Sequence, residues 1–236
     1  MALVELNDVS LQLPVYDMPA RSLKKQVARS LVGGALSSSA GHITVVRALD
    51  HLSLTLTAGD RVGLVGHNGA GKSSLLRVIA GIYEPTSGMV SVKGRVTPLL
   101  DISLGMDLEA SGYENIVLRG LYLGRGRREI AAHVDEIAAF TELGAFLDMP
   151  ARTYSAGMLS RLLFAVSTHF DSDVLLIDEG IVAGDASFQT KAADRLRNFI
   201  GRVGILVIAS HSDAFLDLYC DRRLTMEKGR LLGADA

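Results

Sequence analysis

The sequence is short of several things, and each shortage closes off a class of protein. It has one cysteine, Cys220, so no intrachain disulfide can form, which is consistent with a reducing compartment. No apolar run approaches the roughly 20 residues needed to span a bilayer. The N-terminus lacks the basic-then-apolar pattern of a secretory signal, so a cytosolic chain is expected unless a partner holds it against a membrane. Positive charge is not in excess: 24 Lys and Arg stand against 26 Asp and Glu, a formal net charge of -2. That balance gives no electrostatic argument for nucleic acid. There is no internal repeat and no heptad segment. What remains is 236 residues, 48% of them hydrophobic, enough for a substantial core in one or two closely packed subdomains.

The most informative stretch is Gly66-His67-Asn68-Gly69-Ala70-Gly71-Lys72-Ser73, which fits G-x-x-x-x-G-K-[ST] at every fixed position. Backbone N–H groups, freed of Cβ crowding at Gly69 and Gly71, can curl around a triphosphate. Lys72 brings a point charge to the β- and γ-phosphates, and the Ser73 hydroxyl can ligate Mg²⁺. The apolar run Arg61–Val65 predicts a strand before the loop. Ser74–Ala80 predicts a helix after it, whose positive end faces the same phosphates. A mononucleotide is expected at this loop, with Ser74 among its contacts.

Other elements follow from periodicity. Residues 2–12 and Leu52–Thr57 read as strands, and residues 13–45 between them are too long for a simple connection. Within that insertion, Leu23, Val27 and Leu31 stand at i, i+4, i+8, opposite Arg21, Lys24, Lys25 and Arg29. This basic amphipathic helix could lie at a membrane surface, against a partner or on its own domain. Gly33–Gly41 reads as flexible. Gly88–Val96 reads as a short hairpin, and residues 113–147 as helical. Asp173–Ile177 is an apolar run of the kind that suits a covered parallel strand, and it ends in Asp178 and Glu179. A helix near 187–201, a strand Gly204–Ser210 and two last short strands, Arg223–Met226 and Arg230–Leu232, complete an α/β core with a mostly helical insertion.

Three features add chemistry. Parallel strands present ligands at their carboxyl ends, so Asp178 is placed to hold Mg²⁺ and Glu179 to polarise an attacking water. Tyr154-Ser155-Ala156-Gly157-Met158 opens a helix running to about Phe170 and exposes N–H donors to an anion. His211 directly follows a strand, in reach of a γ-phosphate or water if that strand neighbours the nucleotide strands.

The order of these motifs over nearly the whole chain resembles the nucleotide-binding domain of an ATP-binding cassette protein. The resemblance implies an α/β fold with a P-loop NTPase (RecA-like) core, an antiparallel β subdomain and an inserted α-helical subdomain. Residues 1–236 would form a single domain: core at 1–105 and 172–236, helical subdomain at about 106–171, extra amphipathic insertion at about 13–45. It implies a homodimer with two ATP molecules sandwiched head to tail. Ser155 and Gly157 would then contact the γ-phosphate held by the other subunit, and Asp185 would fall in the cross-dimer loop. Glu179 and His211 would be catalytic. Ser73, Asp178 and Asp107 would serve Mg²⁺, Asp107 standing where the family carries Gln.

In that family the signature motif is LSGGQ; here Tyr154, Ala156 and Met158 replace Leu, the first Gly and Gln, and Arg161 matches the family's following Arg. This variant resembles the subfamily exporting bacterial cell-surface polysaccharides: O-antigen, capsule or teichoic acid. Gly81–Gly88, Ser111–Ile116 and Gly184–Gln189 agree with it, and the amphipathic insertion resembles an extra helix that the subfamily places at the membrane boundary. The implied protein is an ATPase on the cytoplasmic face of the inner membrane, paired with two copies of a separate polytopic permease that handles a lipid-linked polysaccharide. Part of that subfamily has a C-terminal carbohydrate-recognition domain, which is not expected in a chain ending at Ala236. Counting back from the phosphate loop, the adenine-stacking position falls near His42-Ile43, with Tyr16 as the other aromatic candidate. The competing readings are a soluble cassette ATPase acting on ribosomes or DNA, and a small-molecule kinase using the same loop.

Overall fold

A computed structural model of the chain describes residues 2–16, 36–38, 43–100, 104–178 and 186–232. The strands are β1 (Leu3–Tyr16), β2 (Leu36–Ser38), β3 (Ile43–Thr57), β4 (Arg61–Val65), β5 (Ser87–Lys93), β6 (Val96–Leu99), β7 (Val174–Ile177), β8 (Ile205–Ala209), β9 (Arg222–Glu227) and β10 (Arg230–Leu232). The helices are α1 (Lys72–Ile79), α2 (Gly112–Tyr122), α3 (Arg127–Thr141), α4 (Ala156–Ser167), α5 (Ala186–Arg202) and α6 (Asp213–Tyr219). Two compact units result: Met1–Lys93 with Val207–Ala236, and Gly94–Leu206.

In the first unit β1 lies between β3 and β5, antiparallel to both, with β2 on the far side of β3. The β1–β3 register shifts between Leu6 and Val9 and again between Val9 and Leu11. There Asp8 and His51 both adopt left-handed backbone, φ 53° and 49°. The irregularity is stitched shut. His51 Nδ1 lies 2.7 Å from Asp8 Oδ1, Asp8 N–H donates to Ser53 Oγ at 3.0 Å, and His51 N–H donates to Ser10 Oγ at 3.0 Å. The bulge resets the side-chain alternation, so Val4 and Leu6 before it and Val9 and Leu11 after it are all buried.

The strand read at Leu52–Thr57 in fact begins at Ile43 and runs through the second shift, at Asp50-His51. Likewise β1 continues past Gln12 to Tyr16, and the stretch read as flexible contains β2, paired with Val46–Thr44. The basic amphipathic segment Arg21–Leu31 lies outside the described residues.

The same unit holds the run β10-β9-β4-β8, in which β4 is parallel to β9. The second unit holds β7 and β6, parallel to one another, with Ile205 N–H donating to Asp173 O at 2.9 Å. The expected hairpin at Gly88–Val96 is therefore wrong, because β5 pairs with β1 and β6 with β7. Arg95 explains the parting. Its N–H donates to Asp173 Oδ2 at 2.7 Å, and its carbonyl accepts from the N–H groups of Asp173 and Val174. Pro98, which cannot donate to a ladder, is accommodated because β6 is an edge strand.

Helices α2, α3 and α4 pack on a core that includes Ile116, Ile130, Ile137, Leu147, Leu162 and Phe170. Burying each such side chain contributes roughly 1.5–3 kcal/mol. Helix α4 ends at Ser167 rather than near Phe170, since the Thr168 hydroxyl turns back to Phe164 O at 2.7 Å. The following His169 is half-buried, and that burial, together with the Arg195 charge, holds its pKa down at about 4. Among the described residues no helix is long and apolar enough to cross a membrane.

Candidate functional site

The phosphate loop follows β4 and opens α1 as the motif requires. Gly71 caps α1 in left-handed backbone, φ 109°, and a Cβ there would come within 2.6 Å of Ala48 O. The loop is thus seated on β3, and on the β9–β10 turn through the Gly229 N–H, which donates to Ala70 O at 2.9 Å. Gly71 supplies no side-chain cap and the first turn of α1 has no acid. Its N-terminal N–H groups and the positive end of its dipole are thereby left for an anion.

Lys72 is buried, and its Nζ donates to Gly66 O at 2.6 Å and to His67 O at 3.2 Å. These neutral carbonyls hold the ammonium over the loop, where a phosphate oxygen would be a stronger acceptor. His67, Asn68 and Gly69 are exposed, and Ser73 and Ser74 are half-buried at the start of α1. Ala70 is buried and closes the loop through its N–H to His67 O at 3.1 Å.

The neighbouring strand delivers the histidine. Because β8 lies beside β4, His211 reaches the phosphate loop, its Nε2 lying 2.8 Å from Asn68 Oδ1. Sequence reasoning named both residues but had no signal for their pairing, which depends on strand order.

In the second unit Asp178 sits half-buried just past β7, its N–H donating to Leu99 O at 3.0 Å. Ser155 is exposed and caps α4, its Oγ accepting from Met158 N–H at 3.2 Å. Gly157 lies in the first turn, where an added Cβ would meet nothing within 4 Å except Ser155 Oγ at 3.8 Å. No packing among the described residues requires that glycine. Asp107 is exposed and bends back on its own loop, Oδ1 accepting from Glu109 N–H at 2.9 Å. Arg161 sits 4.8 Å from the Phe188 ring, with Glu142 at 3.8 Å. Glu179, Asp185 and His42 lie outside the described residues, as do the side chains of Tyr16 and Ile43.

Several residues to which the sequence reading gave no role of their own build this region. Buried Asn115 accepts from Asp107 N–H at 2.8 Å and donates to the carbonyls of Asp107, Ala110 and Ser111. Ser111 and Glu114 form a capping box on α2, a pattern legible as S-x-x-E. Arg119, 2% exposed, donates to Leu104 O and, at 3.2 Å, to Ser167 Oγ. Tyr154, buried before Ser155, donates its hydroxyl to Phe146 O at 2.6 Å; burial is the main reason its pKa is raised. Buried Asn115 thus holds the Asp107 loop, and buried Tyr154 the start of the Ser155 helix, through bonds to nearby backbone.

Comparison with known proteins identifies the family. The family described as ABC transporter matches residues 49–182. The O-antigen export system ATP-binding protein RfbE of Yersinia enterocolitica is 44% identical over 223 residues, covering 94% of this chain and 93% of that protein. RfbB of Myxococcus xanthus, also described as an O-antigen export system ATP-binding protein, is 42% identical over 208 residues, covering 88% of this chain and 47% of its own length. Among solved structures, a dimeric ATP-binding cassette in a post-hydrolysis state bound to ADP and Pi superposes with a TM-score of 0.67. It is 18% identical and covers 97% of this chain and 96% of its own. The family match covers more than half of the chain and the identity to RfbE runs over almost its full length, and the chain belongs to the ABC transporter family, as an ATP-binding, ATP-hydrolysing cassette with the P-loop NTPase fold.

Proposed function

We propose that this chain is the ATPase subunit of an exporter that moves a lipid-linked cell-surface polysaccharide, of O-antigen type, across the cytoplasmic membrane. The observation that carries the reading is the 44% identity to RfbE over almost the full length of both chains. The subunit works as a homodimer on the cytoplasmic face of the inner membrane, bound to two copies of a separate polytopic permease. It is one cassette domain, with core at 1–105 and 172–236, helical subdomain at about 106–171 and insertion at about 13–45. The alternative, a soluble cassette ATPase acting on ribosomes or DNA, has no observation in its favour.

In this reading ATP draws Lys72 from the carbonyls of Gly66 and His67 to its β- and γ-phosphates, while the loop N–H groups from His67 to Ser74 cradle the chain of phosphates. The hydroxyl of Ser73 and the carboxylates of Asp178 and Asp107 are hard oxygen donors, a set that fits Mg²⁺. Bound there, Mg²⁺ would neutralise phosphate charge. Glu179 takes the proton of the attacking water, and His211 leaves Asn68 to hold the γ-phosphate or that water. Ser155 and Gly157 reach the γ-phosphate bound by the other subunit, with Asp185 in the loop that crosses the dimer. The openness around Gly157 supports this, since a partner's phosphate needs space that no described side chain fills.

The test is size-exclusion chromatography of Glu179→Gln with ATP. Binding without hydrolysis should hold the protein as a dimer that the wild type does not accumulate. Wild-type turnover in Glu179→Gln would contradict the assigned role.

A further inference from the structure

Helix α3 and the residue just beyond the Thr168 cap of α4 bring two histidines and a glutamate together, none of them a residue named for ATP. His133 and Glu136 are three apart on α3 and so share a face. Glu136 Oε2 lies 3.4 Å from His133 Nδ1 and 3.5 Å from His169 Nε2, and all three ligand atoms lie within 4.8 Å of one another. A tetrahedral ion with bonds of about 2.0–2.1 Å to N and O separates its ligand atoms by about 3.3 Å. Two of the three edges already have nearly that length. The third closes by a small rotation of the His133 side chain, which is 42% exposed. His169 is the fixed member, with 11% of its side chain exposed and its ring edge-on to Phe170 at 5.1 Å.

We propose that His133, Glu136 and His169 bind a first-row divalent cation of tetrahedral preference, Zn²⁺ foremost, with water as the fourth ligand. Two imidazoles and one carboxylate suit Zn²⁺, whereas Mg²⁺ and Ca²⁺ take oxygen donors. Arg195 and Arg202 are the cationic neighbours to be accommodated, the first with its Nη2 3.1 Å from His169 Nδ1. When the ion takes Nε2, the ring proton moves to Nδ1 and Arg195 releases that contact. It keeps its bonds to Thr168 Oγ1 at 3.0 Å and Ala165 O at 3.4 Å, and its place 4.0 Å from the Phe140 ring. The Glu136 carboxylate offsets the guanidinium charge. The ion would tie α3 to the end of α4, the helix that Ser155 begins.

Titration of the purified full chain with Co²⁺, followed by visible absorption and by Zn²⁺ competition, tests the site. One equivalent should give the intense spectrum of a tetrahedral N/O site, and Zn²⁺ should displace it and raise the melting temperature. His133→Asn, at a half-exposed position, and His169→Gln should each weaken binding more than about tenfold, the lower end of what losing even an outer partner of a metal ligand costs. A spectrum that stays octahedral overturns the proposal. So does unchanged affinity in the two variants, which would place the ion elsewhere, as at His67 and His211.

Discussion

His211 and Asn68 stand 143 positions apart and meet at 2.8 Å, Nε2 against Oδ1. The contact exists because β8 runs beside β4 and ends level with the phosphate loop. It parks the histidine on the loop whose γ-phosphate it is proposed to hold. His211→Ala should lower phosphate release by about 10²-fold or more, the scale of a lost acid–base or positioning group, with ATP affinity nearly kept. Asn68→Ala should cost far less. Equal losses from the two variants, measured as steady-state turnover beside nucleotide affinity, would make His211 a loop support instead.

Lys72 tests the binding half of the account. Its two carbonyl bonds are exchangeable for phosphate, so Lys72→Ala should lose nucleotide binding by on the order of 10²-fold while melting close to wild type, a charged hydrogen bond contributing about 1.5–3 kcal/mol. A fluorescent ATP analogue reads the affinity, and undiminished binding would contradict the phosphate contact.

Two glycines separate packing from function. At Gly112 a Cβ would lie 2.4 Å from the Tyr154 hydroxyl and 2.7 Å from Leu147 Cδ2, so Gly112→Ala should destabilise by about 1–3 kcal/mol. At Gly157 the Cβ meets nothing closer than 3.8 Å, and Gly157→Ala should leave stability unchanged or raise it by up to about 1 kcal/mol. Its hydrolysis should nonetheless fall. Melting curves and ATPase rates on both variants distinguish a glycine needed inside the chain from one needed by the other subunit's ATP.

Asp50 gives a pH signature. Arg230 hydrogen-bonds the carboxylate at 2.7 Å and Arg47 pairs with it at 3.0 Å. The Arg230 bond leads the causes that hold its pKa below the usual aspartate range, against the opposing effect of burial. A depressed folded-state pKa adds stability above the unfolded value, and that stability is lost as pH falls through the folded value. Asp50→Asn should therefore melt lower than wild type at neutral pH, and the gap should close in strong acid. A gap constant with pH would remove the ion pairs as its cause.

The nucleotide chemistry was legible in the sequence because its residues are contiguous: Gly66–Ser73, the apolar run ending at Asp178, the Ser155 cap. What escaped depends on contacts distant in sequence. The alternation in β3 breaks at Asp50-His51 because two residues of β3 there face Ser10 alone, and only the opposing strand reveals it. The false hairpin at Gly88–Val96 arose because two strands meet at one glycine turn, while Asp173, 78 residues from Arg95, decides where the second goes. Asn115 and Arg119 read as ordinary polar residues of an amphipathic helix, yet both are buried on backbone carbonyls.

The export claim itself is tested most directly by isolating tagged Glu179→Gln protein from detergent-solubilised membranes with ATP present. The account predicts recovery of one polytopic partner in about equal amount, bound to a dimer of this chain. A dimer recovered alone from the soluble fraction, or with ribosomes, would contradict transport and leave only the ATPase.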